Sequence, residues 1–115
     1  MEISKLKKLI EKTLNGNKAQ EIVSINLKNK SYIADYMIVA SGTSSRHIQS
    51  LSEILLSTLE DEGMGRFKIE GRSCDGWKLI DTIDIIIHIF QPEKRKFYDL
   101  EKMWSEPELS ERINI

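Results

Sequence analysis

The sequence predicts one α/β (α+β) domain: a single mixed sheet of roughly five strands with helices packed on it. Three observations predict it. Apolar residues recur at helical spacing in three places and as short strand-like runs between them. One run, Tyr36–Ala40, is apolar almost throughout and leads directly into a helix-start signal. And 115 residues, 40% hydrophobic and 30% charged, suit one domain able to bury a core without disulfides or metals.

The elements follow in order. Ile3, Leu6, Leu9, Ile10 and Leu14, with Lys and Glu between them, form an amphipathic first helix that stops near Asn15, Gly16 and Asn17. Ile22, Val23, Ile25 and Leu27 form a short strand, with Asn29 as turn residue. Tyr36, Met37, Ile38, Val39 and Ala40 read as a central strand covered on both faces. Ser41, Gly42, Thr43, Ser44 and Ser45 break it and offer N-cap hydroxyls. The second helix lines up Ile48, Leu51, Leu55 and Leu59 and ends at Gly63. Phe67 to Glu70 is a brief strand, and Gly71 to Gly76 a loop. Trp77 to Asp81 and Asp84 to Phe90 read as two strands, closed by Pro92. Phe97, Leu100 and Trp104 give a third helix, and Pro107 to Ile115 an accessory tail. The strand–turn–helix unit at Tyr36 makes the sheet partly parallel.

Composition excludes several function classes. Seventeen basic residues against eighteen acidic ones leave a net charge of -1, with no long-range attraction for nucleic acid or anionic membrane. Sequence-specific nucleic-acid binding is not expected; a protein would bring any RNA. The lone Cys74 cannot form an intrachain disulfide, which fits a reducing compartment. Residues 1–14 lack an uninterrupted apolar segment of a secretory signal, and no stretch approaches membrane-span length. A cytoplasmic location is expected.

The hairpin is the most informative segment. With a two-residue Thr82-Ile83 loop, Asp81 faces Asp84, Leu79 faces Ile86 and Trp77 faces His88, with Phe90 beyond. The other face carries Lys78, Ile80, Ile85, Ile87 and Ile89, the natural core face. The face with Trp77, Leu79, Ile86, His88 and Phe90 mixes aromatics, a titratable ring and carboxylates. Such a mixture resembles an interface centre. The alternative is that helices cover this face too and Trp77 and Phe90 are core. A division is expected, with the Phe90 end buried and the Trp77–Asp81 end exposed.

Chemical motifs are weaker. Asp81 and Asp84, with Asp35 added, could hold Mg²⁺ for nucleotidyl transfer, with Gly42 and Ser44 near the phosphates. No Lys follows in P-loop spacing, however, and Asp beside a turn is common for structural reasons. His47, His88 and Cys74 make no zinc spacing. Ser45, His88 and Asp81 lack a nucleophile-elbow sequence. Arg95 and Tyr98 lie three apart on the third helix and could share its exposed side. No metal or cofactor is expected.

Three segments together resemble the ribosomal silencing factor (RsfS, iojap) family. They are Ala34-Asp35-Tyr36-Met37-Ile38-Val39-Ala40-Ser41-Gly42-Thr43-Ser44; Glu70-Gly71 with Gly76-Trp77-Lys78-Leu79-Ile80-Asp81 and Asp84-Ile85-Ile86-Ile87-His88-Ile89-Phe90; and Arg95-Lys96-Phe97-Tyr98-Asp99-Leu100-Glu101-Lys102-Met103-Trp104. Lys18-Ala19-Gln20-Glu21-Ile22 is similar to the family's entry to its first strand, so the resemblance spans about 18–104 of one domain, 1–115. It implies a nucleotidyltransferase-like fold without established catalysis. It also implies binding to large-subunit ribosomal protein fourteen, which would block joining of the small subunit and repress translation under nutrient limitation. Homodimerisation is a further implication. Trp77, Leu79, Asp81, Asp84, His88, Arg95 and Tyr98 are the expected partner-binding residues. The sequence departs from the family between the hairpin aspartates: an aromatic and a glycine are usual there, and Thr82 and Ile83 stand in their place. A β-branched Ile resists the positive φ that glycine permits, which puts the tip geometry and the Asp81–Asp84 pairing in question.

Overall fold

The computed structural model describes residues 2–28 and 34–93. The expected third helix with Arg95 and Tyr98, the expected turn at Asn29 and the expected tail lie outside these residues. Within them the order is α1 (Ile3–Gly16), β1 (Gln20–Asn26), β2 (Tyr36–Ser41), α2 (Ser45–Asp61), β3 (Lys68–Glu70), a 3₁₀ turn (Ser73–Asp75), β4 (Trp77–Asp81) and β5 (Ile85–Phe90). The strands form one sheet ordered β1-β2-β5-β4-β3. Only the β2–β5 pairing is parallel, so the sheet is mixed, as expected.

Helix boundaries follow from local chemistry. Ser44 caps α2, its hydroxyl accepting the His47 N–H at 3.1 Å. At the other end Gly63 sits at φ +85; its N–H reaches Glu60 O and that of Met64 reaches Leu59 O. This is a Schellman closure, and glycine supplies its left-handed residue. α1 closes in the same way, with Ala19 N–H on Leu14 O, but Lys18 takes the left-handed position at φ +66.

Both helices pack on one face of the sheet. Leu6, Ile10 and Leu14 of α1 and Ile48, Leu51, Leu55 and Leu59 of α2 bury themselves with Ile38, Ala40, Ile80, Ile85, Ile87 and Ile89. The isoleucine face of the hairpin is therefore the core face, as its composition implied. Full burial of such a side chain contributes about 1.5–3 kcal/mol. A second cluster lies on the opposite face: Ile25, Leu27, Ala34, Met37, Val39 and Phe90, with Trp77 and Ile86 packed against it. β2 is thus covered on both sides.

The hairpin register corrects the expectation. Trp77 faces Phe90, Leu79 faces His88 and Asp81 faces Ile86, so Asp81 and Asp84 are not partners. The Thr82 N–H donates to Ile85 O at 3.0 Å, which places the two-residue loop at Ile83-Asp84, one residue later than expected. The second strand accordingly begins at Ile85, not Asp84. The Thr82 side chain explains the shift. Its hydroxyl is buried, donates to Ile85 O at 2.8 Å and accepts the Ile85 N–H at 3.2 Å. Thr82 is therefore a paired flank of the turn, not its apex. Because the slip moves the cross-strand partner by two, each residue keeps its face.

Candidate functional site

The mixed face of the hairpin points away from α1 and α2. Its burial changes mainly across the strands. Met37 and Val39 on β2 and His88 and Phe90 on β5 are buried, and Ile86 half-buried. Trp77, Leu79 and Asp81 on β4 are half-buried, and Lys68 and Glu70 on β3 are exposed. Phe90 is buried as expected, and the Trp77–Asp81 strand is half-buried where exposure was expected. Trp77 lies opposite Phe90, and exposure grows toward the β3 edge because the last strands have fewer neighbours.

Trp77 is held by its surroundings. The loop before it is tied to α2 by the Ser73 hydroxyl, which donates to Gln49 Oε1 at 2.7 Å. Gly76 takes φ +75 at the end of the 3₁₀ turn, and its carbonyl accepts the Gln91 N–H at 2.9 Å. The indole stacks on Phe90 with centroids 6.3 Å apart and planes 19° apart. Its Nε1–H donates to His88 Nδ1 at 3.4 Å. His88 in turn lies parallel to Phe90, at 5.6 Å and 4°. Burial pulls the His88 imidazole down from its ordinary value to about 4, so at neutral pH the ring is uncharged. With Nδ1 accepting from the indole, the ring proton sits on Nε2.

Asp81 ends β4 beside this group. Its Oδ1 accepts the Ile83 N–H at 2.8 Å, which leaves the carboxylate further acceptor capacity. Lys68 is its cross-strand neighbour, and Glu70 that of Leu79. An open depression of about 360 Å³ at this corner is lined by Gly65, Arg66, Phe67, Lys68, Asp81 and Ile83. Ile83 projects from the tip at φ +80 with 61% of its surface exposed. Asp84 is exposed beside it, and its carbonyl accepts the N–H groups of Asp35 and Tyr36.

The structure thus brings Trp77, Leu79, Asp81 and His88 to one face and sets Asp84 apart at the loop. Sequence reading missed two features. One is Gly71, at φ +83, where a Cβ would meet Trp77 Cε3 at 2.5 Å. The only signal for it was the Glu70-Gly71 pair in the resemblance. The other is the acceptor role of His88, which depends on a register set by Thr82. The serine-rich turn serves the fold. His47 accepts the Thr43 N–H at Nδ1, 2.9 Å away, and lies 2.9 Å from Asn17 O through Nε2, joining the start of α2 to the end of α1. Among the described residues no three His, Cys, Asp or Glu side chains form a metal-holding group, so Asp35, Asp81 and Asp84 do not converge on one.

These features define a two-layer α+β domain: a mixed sheet with helices on one face and a half-buried aromatic and acidic strand on the other. The sequence model of the family described as "Ribosomal silencing factor during starvation" matches residues 1–114, beyond the 18–104 span of the resemblance. The ribosomal silencing factor RsfS of Zymomonas mobilis is 46% identical over 99 residues, covering 86% of this chain and 74% of that protein. A mouse protein named "Mitochondrial assembly of ribosomal large subunit protein 1" is 33% identical over 80% of this chain and 42% of its own length. A crystal structure of a Chromobacterium violaceum protein superimposes with a TM-score of 0.87 at 30% identity, covering 91% of this chain and 88% of that one. The chain belongs to the RsfS family of ribosomal silencing factors.

Proposed function

We propose that this protein silences translation by docking on the large ribosomal subunit, through its protein fourteen, and blocking the small subunit from joining. It would act in the cytoplasm under nutrient limitation. The observation that carries the reading is the placement of Trp77, Leu79 and Asp81 together, half-buried, on the sheet face opposite α1 and α2. Family membership supports the ribosome as partner, and the name of the mouse relative points to the large subunit.

The chemistry suits such a partner. A half-buried Trp keeps apolar area to bury on binding, and Trp truncation at an interface centre often costs about 2 kcal/mol or more. Asp81 presents a carboxylate for basic groups on a ribosomal protein. His88 supports this patch from the neighbouring strand β5. Asp84 stands at the rim, and Arg95 and Tyr98 are proposed for the rim as well.

The test is sedimentation with isolated large subunits, isolated small subunits and joined ribosomes. Retention on large subunits alone, with less joining when the protein is added first, is the expected result. Trp77→Ala and Asp81→Arg should keep the fold and lose retention. Undiminished binding by both folded variants would remove the site assignment.

A further inference from the structure

Trp77 is half-buried on β4, and three contacts act on its indole. Its face lies against Phe90, directly across the strand pair. Its Nε1–H meets His88 Nδ1, the diagonal neighbour two residues before Phe90. Gly71 lies close to the six-membered part of the ring: a Cβ there would stand 2.5 Å from Cε3, 2.9 Å from Cδ2 and 2.8 Å from the Trp77 carbonyl oxygen. No side chain fits in that gap, and the φ of +83 is itself one that glycine adopts without strain. Stacking on Phe90, the bond from Nε1 to His88 and the close approach of Gly71 at Cε3 leave the ring little freedom to turn.

We infer that His88 and Gly71 are positioning residues that hold the Trp77 indole in a single orientation for docking. The inference deepens the docking reading and rests on it. A ring ordered beforehand loses less conformational freedom on binding. Immobilising a side chain costs about 0.5–1.5 kcal/mol, a difference of about three- to tenfold in affinity. His88 is suited to the task because it is 9% exposed and stacked flat on Phe90, so its own ring is fixed. Its neutral state at ordinary pH keeps the Nδ1 lone pair available to the indole.

Two substitutions at 88 separate this role from simple packing. His88→Phe keeps a flat ring against Phe90 and removes the acceptor. His88→Asn removes the ring but places an amide oxygen near the position of Nδ1. The full-length protein is followed in two ways: by the Trp77 indole N–H resonance, assigned through its loss in Trp77→Phe, and by affinity for isolated large subunits. Expected is that the Phe variant shifts the indole resonance and binds about three- to tenfold more weakly, while the Asn variant retains both properties. Packing alone gives the reverse order. That order, or wild-type binding by the Phe variant, or weakened binding by the folded Asn variant, overturns the inference. Should the Phe variant not fold, His88→Leu, equally without an acceptor, takes its place with the same expectation. Failure of the docking reading shows separately, as wild-type binding by Trp77→Ala.

Discussion

The His88 ring determines how stability depends on pH. Burial is what moves it, although Asp81 on β4 and Lys68 and Glu70 on β3 share its sheet face. A base whose folded value lies below its unfolded value binds fewer protons when folded. The unfolded chain therefore takes up a proton first as pH falls, and acid favours unfolding. The contribution is fully present above about 6.5, the ordinary imidazole value, and is lost as pH falls toward about 4. The whole span corresponds to about 3 kcal/mol. Urea unfolding at pH 7 and near pH 4.5 should show the wild type losing stability that His88→Asn does not lose. Parallel pH profiles would contradict the burial of His88 as the cause. The same acidification removes the Nδ1 acceptor, so the Trp77 indole resonance should move over the lower part of this range.

At the scale of elements, the hairpin shows which parts of the fold were legible. Alternation along β4 and β5 placed every side chain on its correct face, because a two-residue change of partner preserves faces. The isoleucines at 80, 85, 87 and 89 thereby announced the core. The register itself was not legible. It depends on the Thr82 hydroxyl exchanging hydrogen bonds with Ile85, a local interaction that hydrophobic pattern does not encode. Position 83 likewise reads as a poor turn residue, and the fold nevertheless holds it at φ +80. A left-handed conformation costs a residue with a Cβ about 1–2 kcal/mol. Glycine would remove that cost while adding about 0.5–1 kcal/mol of chain entropy. Because Ile83 is largely exposed, little burial is lost with it. Ile83→Gly should therefore stabilise the protein by up to about 1 kcal/mol in chemical denaturation. A clear loss of stability would mean that the Ile83 side chain makes contacts worth more than its backbone strain.

At the scale of the whole molecule, the docking proposal gives the two faces of the sheet separate duties. One face is buried under α1 and α2 and carries stability. The other is, among the described residues, buried at β2 and opens toward β3, and its outer part is the proposed docking surface. Composition could not reveal this gradient, because the mixed face looks like core or interface until strand order is known. That order puts β4 next to the short edge strand and so leaves Trp77, Leu79 and Asp81 half-covered. The separation can be measured with two truncations on neighbouring strands. Ile87→Ala removes a fully buried side chain from the helix-covered face and should cost about 2–4 kcal/mol in unfolding. At temperatures where it remains folded, it should still co-sediment with large subunits, since the proposed docking surface is on the other face. Leu79→Ser removes a half-buried side chain from the other face and should cost about 1 kcal/mol, within the usual range for a single substitution. It should nevertheless lose large-subunit retention, because Leu79 lies between Trp77 and Asp81 on that surface. If both variants lose binding in proportion to lost stability, docking depends on overall integrity and the two faces are not functionally distinct. If Ile87→Ala binds while the more stable Leu79→Ser does not, binding is assigned to the outer face independently of fold stability.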